Sequence, residues 1–277
     1  MTCAWKELIG ILPSGMRSDI DRLYRDTLQE LRLRLGHPVQ LVTSKGTQML
    51  PMTVTKDHIQ FVVNAASGYS PWAVGTTAEG YLTALGGHRI GICGEAVIQN
   101  GHMTGFSSIR SLNIRVARDF PGIAQPLDAL KGNVLILGPP GSGKTTLLRD
   151  LIRRRARQEL VGVVDCRGEI FPLGFEEGVF MDVISGCTKA DGTNILLRTM
   201  TPQIIAFDEI TAKEDSDALI RASWCGVRLL TTAHAENLDD LRNRSIYQPI
   251  VVSGLFSYAV ILDRGKKYRV ERMVQCR

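Results

Sequence analysis

The sequence predicts an α/β protein in two parts. A small α+β N-terminal domain covers residues 1–118, a connection covers 119–132, and a domain built on a mainly parallel sheet covers 133–277. Three observations predict this. The first part mixes short helical and strand patterns. A stretch rich in proline and glycine follows it. Beyond that stretch, near-continuous apolar runs alternate with helical patterns, and such runs imply strands buried on both faces with helices on either side. At 277 residues the chain is long enough for each part to have its own core.

In the first part, RSDIDRLYRDTL spaces Ile20, Leu23, Tyr24 and Leu28 as one helical face. LRLRL alternates strictly, which predicts a strand with Arg32 and Arg34 on one side. KDHIQFVVNAAS is a second helix, and HRIGICGEAVIQNGHMTGFSSI is a hairpin turning at Asn100-Gly101, a pair suited to positive φ. ARDFPGIAQPLDALKG, with two prolines and two glycines, is the connection. After it come the strand NVLILG, a helix from Thr145, the strands LVGVVD and QIIAFDE, the helix EDSDALIRASWCG and the strand RLLTTAH. The end, YAVILDRGKKYRVERMV, is a terminal hairpin.

Bulk properties exclude several function classes. The net charge of +5 is spread evenly, with 12 Lys/Arg against 9 Asp/Glu in residues 1–119 and 21 against 19 in the remainder. A nucleic-acid arm needs basic charge clustered on one face, so no nucleic-acid partner is expected. The run Arg153, Arg154, Arg155, Arg157 is the exception, and reads as a solvated helix face or a contact with an acidic partner or membrane surface. Six cysteines (Cys3, Cys93, Cys166, Cys187, Cys225 and Cys276) show no C-x-x-C and no His/Cys pairing. That pattern points to reduced thiols rather than a metal site or a disulfide framework. No apolar run approaches the roughly 18 residues of a membrane span, and MTCAWKELIG lacks a signal-peptide layout. The expectation is a soluble cytoplasmic chain that can dock peripherally on a membrane complex.

The most informative stretch is Gly138-Pro139-Pro140-Gly141-Ser142-Gly143-Lys144-Thr145, followed by Thr146. It matches G-x-x-x-x-G-K-[ST] in full and sits between a strand and a helix, as that motif requires. Gly141 and Gly143 let the backbone curl around a phosphate, so that successive N–H groups and the helix N-terminus point at it. Lys144 should reach the β- and γ-phosphates and the Thr145 hydroxyl should bind Mg²⁺. Pro139 and Pro140 stiffen the loop. The ligands expected are ATP and Mg²⁺.

The rest of the chemistry should stand at the end of another strand. IIAFDE places Asp208 to hold Mg²⁺ through water, with Glu209 beside it to polarise the attacking water. The same Asp-Glu pair could instead simply open the helix EITAKEDSDAL, since acids favour helix N-termini. VVDCRGEI puts Asp165 and Glu169 at the end of the strand after the phosphate-loop helix, and CGVRLLTTAHA ends a strand in Thr231, Thr232 and His234.

This succession, over residues 133–240, resembles the type II/type IV secretion ATPases: phosphate loop, Asp box, second Walker motif and a T-x-H histidine box. With GGHRIGICGEAV, SSIRSLNIRVAR, VISGCTKADG and DEITAKEDSDAL, the resemblance extends over nearly the whole chain to the branch of endospore-forming bacteria. It implies a RecA-like P-loop NTPase domain that hydrolyses ATP. Glu169 and Glu209 are both implied as candidates to orient the water, Glu169 first, and His234 as a sensor or stabiliser of the γ-phosphate. Read alone, His234 is better explained as a buried hydrogen-bonded histidine. An arginine of the N-terminal domain is implied over the nucleotide. Arg110 and Arg115 are the best local candidates, with Arg89 and Arg118 behind them, although alternation along an exposed strand also explains them. A homo-oligomeric ring, most simply a hexamer, docked on membrane-embedded sporulation channel proteins is implied by the resemblance alone. The chain departs from the family at Gly226-Val227 (family G-H), at Thr211 (family Arg) and at Gln203 (family Asp).

Three other readings compete. A transporter-type ATPase would carry S-G-G-Q, for which ISGC offers only a partial match, with Cys187 and Thr188 in place of Gly and Gln. A nucleic-acid motor is weakened by the even charge and few aromatics. An assembly scaffold or switch that binds ATP with little turnover is compatible with every motif above.

Overall fold

The computed structural model describes residues 3–69, 80–172, 175 and 178–273. The chain forms two compact units, Met1–Asp119 with Pro172–Phe175, and Phe120–Phe171 with Glu176–Arg277.

The first unit opens with α1 (Trp5–Gly10) and α2 (Ser14–Tyr24). Then come β1 (Leu28–Arg34), β2 (Pro38–Thr43), β3 (Gly46–Thr53), α3 (Lys56–Ala66) and β4 (Tyr81–Thr83). The unit closes with β5 (Arg89–Gln99) and β6 (His102–Arg115). The strands make one antiparallel sheet in the order β3-β2-β1-β6-β5-β4. Leu31 and Leu33 of β1 are buried, and β1 pairs with both β2 and β6. Asn100 and Gly101 turn the β5–β6 hairpin with φ of 52° and 79°, as an Asn-Gly pair should. The helix predicted through Leu28 stops earlier. Leu28 is the first residue of β1 and Leu23 is exposed, so the two belong to different elements.

His88 ties the segment before α1 to the segment after β6. It is fully buried, with Nε2 2.8 Å from the Ala4 carbonyl, while Nδ1 accepts the Ala117 N–H at 3.2 Å. The proton therefore sits on Nε2. Burial pushes the imidazole below its ordinary value of 6.5. The unfolded chain then binds more protons than the folded one between the folded value and 6.5, so stability falls as pH drops through that window. Melting curves at pH 7.5 and 5.5 should show this loss. In His88→Gln that part of the pH dependence should vanish, on top of a lower melting temperature at pH 7.5. A wild-type slope unchanged in the variant would contradict the assignment.

The second unit begins with a short 3₁₀ turn, Gln125–Leu127. It continues as β7 (Val134–Leu137), α4 (Lys144–Arg155), β8 (Val161–Asp165), β9 (Met181–Ser185), α5 (Lys189–Thr199) and β10 (Ile204–Phe207). Next come α6 (Lys213–Trp224), β11 (Arg228–Ala233), α7 (Leu238–Asn243), α8 (Gln248–Val252), β12 (Tyr258–Leu262) and β13 (Tyr268–Arg272). The sheet order is β13-β12-β7-β11-β10-β8-β9, and every neighbouring pair is parallel except β12–β13. Alternate residues of the central strands enter two separate cores. Val134 and Ile136 join α4 through Leu147, Leu148, Leu151 and Ile152, while Leu135, Leu137 and Phe207 join α6 through Leu219 and Ala222. Both faces are covered, which is why these strands read as continuous apolar runs.

The arginine run corrects one expectation. Arg157 is exposed as expected, but within α4 the run is not a solvated face: Arg153 and Arg155 are 5% and 8% exposed. Arg153 meets Asp150, Arg154 meets Asp128, and Arg155 donates to the carbonyls of Leu127, Asp128 and Leu130. Asp150 in turn accepts the N–H groups of Gly122 and Ala124 at 2.9 and 2.8 Å. Buried charges need such partners. Here they fasten residues 122–130 to α4. The five described cysteines are free thiols, and Cys276 lies outside the described residues. No described helix is long and apolar enough to cross a membrane.

Candidate functional site

Sheet order decides where the motifs meet. β7, β11, β10 and β8 are consecutive neighbours and run parallel, so their C-terminal ends form one rim. The phosphate loop leaves β7, Thr232 lies at the end of β11 with His234 just beyond it, Asp208 and Glu209 follow β10, and Asp165 ends β8. In open α/β sheets this rim is where ligands bind.

The loop Gly138–Thr145 leads into α4, capped by Gly143, and Thr146 lies in its first turn. Gly141 and Gly143 adopt φ of 75° and 97°, which side chains with a Cβ rarely tolerate, and a Cβ on either would meet nothing within 4 Å. Space is therefore open at these two positions. Gly138 is constrained differently: a Cβ there would come within 2.6 Å of Ser142 Oγ. Lys144 Nζ donates to the carbonyls of Gly138 and Pro139 at 3.0 and 3.1 Å and lies 3.0 Å from His234 Nδ1. Burial pushes this ammonium below the usual lysine range, and Glu209 and Asp208 partly offset that.

With Lys144 donating, His234 Nδ1 must accept, so the histidine proton sits on Nε2 and is donated to Glu209 Oε1 at 2.7 Å. A continuous chain thus runs from the phosphate-loop cation through His234 to Glu209. Tyr247, itself buried, fixes the histidine by accepting its backbone N–H at 3.0 Å.

Thr145 Oγ1 donates to Asp208 Oδ2 at 2.6 Å. The other carboxylate oxygen accepts Thr232 Oγ1 at 2.7 Å and the Glu209 N–H at 3.0 Å. Glu209 has φ of 38°, a left-handed backbone that costs on the order of 1–3 kcal/mol for a residue with a side chain. Thr232 helps to hold it, since its Oγ1 also receives the Glu209 N–H at 3.0 Å. Asp165 shapes a second turn: its carboxylate accepts the N–H groups of Glu169, Ile170 and Phe171 at 2.8, 3.0 and 2.8 Å. Arg149 of α4 takes the carbonyls of Glu169 and Ile170. A cleft lies beside these turns, and Glu169, Asp208, Glu209 and Lys189 line it.

These residues fit a nucleoside triphosphate with Mg²⁺. Ser142 Oγ is buried without a hydrogen-bond partner among the described residues, a donor left for a ligand. Thr145 and Asp208 supply the hard oxygen donors that Mg²⁺ prefers. The structure brings together Lys144, Thr145, Asp208, Glu209 and His234, with Glu169 across the same cleft. Arg110 and Arg115 lie in the first unit, paired with Glu95 and Glu30. Sequence reasoning gave no role to Thr232, Tyr247, Arg149 or Lys189. The T-x-H box singled out Thr232 without a role, and the β10–β11 pairing supplies it by setting Thr232 beside Asp208. Thr211, where the resembling family carries arginine, receives Lys189 Nζ at 3.1 Å.

An antiparallel N-terminal sheet followed by a mostly parallel sheet, with a phosphate loop at its rim, is the fold of the secretion ATPases. The pilus retraction motor PilT, solved with bound ADP, matches with a TM-score of 0.61 at 15% identity, covering 90% of this chain and 80% of that one. The Legionella pneumophila ATPase DotB matches with a TM-score of 0.57 at 17% identity, covering 89% and 76%. The family described as "Sporulation stage III, protein AA" matches residues 5–274. Stage III sporulation protein AA of Bacillus subtilis (strain 168) is 33% identical over 280 residues, covering 94% of this chain and 91% of that protein. The chain belongs to the stage III sporulation protein AA family.

Proposed function

We propose that this chain is an ATP-hydrolysing motor of the secretion ATPase type that powers or gates a membrane channel during endospore formation. The observation that carries the reading is the chain Lys144–His234–Glu209, which couples the cation of the phosphate loop to a carboxylate in the adjoining cleft. The bound ADP of PilT and the family membership support it.

Lys144 is already desolvated among acceptors, so a phosphate oxygen can replace the loop carbonyls it now uses. Thr145 and Asp208 would hold Mg²⁺, which supplies charge neutralisation across the β- and γ-phosphates. Glu209 or Glu169 orients the attacking water from the cleft. His234, once Lys144 turns to phosphate, carries a change in that contact to Glu209. A guanidinium completes such a site by stabilising charge on the transferring group. Arg110 and Arg115 are 68% and 66% exposed in their side chains, and exposed ion pairs are weak, so either can leave its carboxylate for a phosphate.

The resemblance to the secretion ATPases supports a homo-oligomeric ring, most simply a hexamer, on membrane-embedded sporulation proteins. Purified protein should then show turnover per chain that rises with concentration, a sharp loss with Arg110→Ala or Arg115→Ala, and no stimulation by DNA. Sedimentation with and without ATP-Mg²⁺ reads the assembly directly. Activity from a strict monomer, indifferent to concentration and to both arginines, would overturn the ring and leave the nucleotide site standing.

A further inference from the structure

Lys189 is the first residue of α5, and its place there is not explained by the helix. A cation at a helix N-terminus faces the positive end of the macrodipole, and burying it adds a desolvation cost. Yet its side chain is only 15% exposed. Nζ donates to Thr211 Oγ1 at 3.1 Å and to Asp215 Oδ2 at 3.0 Å, and it lies 5.9 Å from the centroid of the Phe207 ring. The same Asp215 oxygen accepts the N–H groups of Thr211 and Ala212 at 2.8 and 3.1 Å and the Thr211 hydroxyl at 3.1 Å.

These contacts surround one short segment. Phe207 ends β10, Asp208 and Glu209 follow, and Thr211 and Ala212 lead into α6. Thr232 grips the segment on its near side through Asp208 and the Glu209 N–H. Lys189 and Asp215 grip it on the far side. Between the two grips stands Glu209 with its left-handed backbone, a conformation that persists only where the surroundings enforce it. Lys189 also lines the cleft that Glu169, Asp208 and Glu209 share.

We propose that Lys189 is a positioning residue for the reaction at the phosphate loop. By holding Thr211 and Asp215 it fixes the turn that presents Glu209 to His234 and to the cleft. This rests on the assignment of Glu209 to water positioning, and it goes further by naming what keeps that carboxylate in place. The simpler alternative is that the Lys189–Asp215 pair only pins α5 to α6.

The test uses the full chain with Lys189→Met, which keeps length without charge, and Lys189→Arg. Hydrogen exchange without nucleotide should show the amides of residues 209–212 opening about tenfold faster in Lys189→Met, with those of Val134–Leu137 unchanged. Turnover should fall about 10- to 100-fold at saturating ATP while ATP affinity stays near wild type, because a small displacement of a reacting group has that effect. Lys189→Arg should recover most of both. Unchanged exchange at 209–212 would overturn the proposal, as would a turnover loss matched by an equal loss of folded protein or of ATP affinity. If the wild-type chain itself releases no phosphate, the ATPase reading fails separately, and the exchange comparison still decides whether Lys189 holds the turn.

Discussion

Lys144→Ala is expected to abolish ATP binding at concentrations where the wild-type chain saturates. Lys144 is the ammonium of the phosphate loop, held there by the carbonyls of Gly138 and Pro139. A charge-assisted hydrogen bond contributes roughly 1.5–3 kcal/mol, and the lysine can make two to phosphate oxygens. Their loss corresponds to weakening on the order of 10²–10⁴-fold. The variant should fold, since its neighbours Leu147, Leu148 and Leu151 supply the core packing of α4. Equilibrium titration with a fluorescent ATP analogue, alongside a melting curve, checks both points. Unchanged affinity in a folded variant would refute the assignment of the loop.

Glu209→Gln and Glu169→Gln should bind ATP as the wild type does and turn over slowly. Each substitution keeps the shape and removes the negative oxygen that orients water, a loss of about 10²–10⁴ in rate for the residue that fills this role. The geometry separates the two. Glu209 is tied to His234 and, through it, to Lys144, whereas Glu169 is set by a turn fastened by Asp165 and Arg149. Glu209→Gln should therefore also loosen the His234 contact, which a shift of the His234 ring resonances would report. If one variant alone is slow, that residue positions the water. Wild-type rates in both would mean that hydrolysis is arranged elsewhere or is absent.

Much of this was legible before the fold. The phosphate loop is written as a contiguous motif, because one turn of backbone does its work, and the buried strands announce themselves by apolar runs. The Asn100-Gly101 turn was equally plain, since its φ values demand those residues. What stayed hidden depends on contacts far apart in sequence. The arginines of α4 looked like a charged surface, and only the folding back of residues 122–130 gives them partners. β9 and α5 carry weak patterns because one is half exposed at the sheet edge and the other is broken by Gly192. Thr232 acquires its role from lying beside Asp208 across two strands, and Lys189 from reaching Thr211 and Asp215. Thr232 stands in the T-x-H box and Lys189 in VISGCTKADG, but neither stretch shows the contact that gives the residue its role.

Phosphate release from ATP by the purified wild-type chain, with Mg²⁺ and with a chelator, and beside Lys144→Ala, tests the central claim most directly. Mg²⁺-dependent release that disappears in the chelator and in the variant is the expected result. ATP binding by the wild type with no release above the Lys144→Ala background would contradict the motor and leave a nucleotide-binding switch.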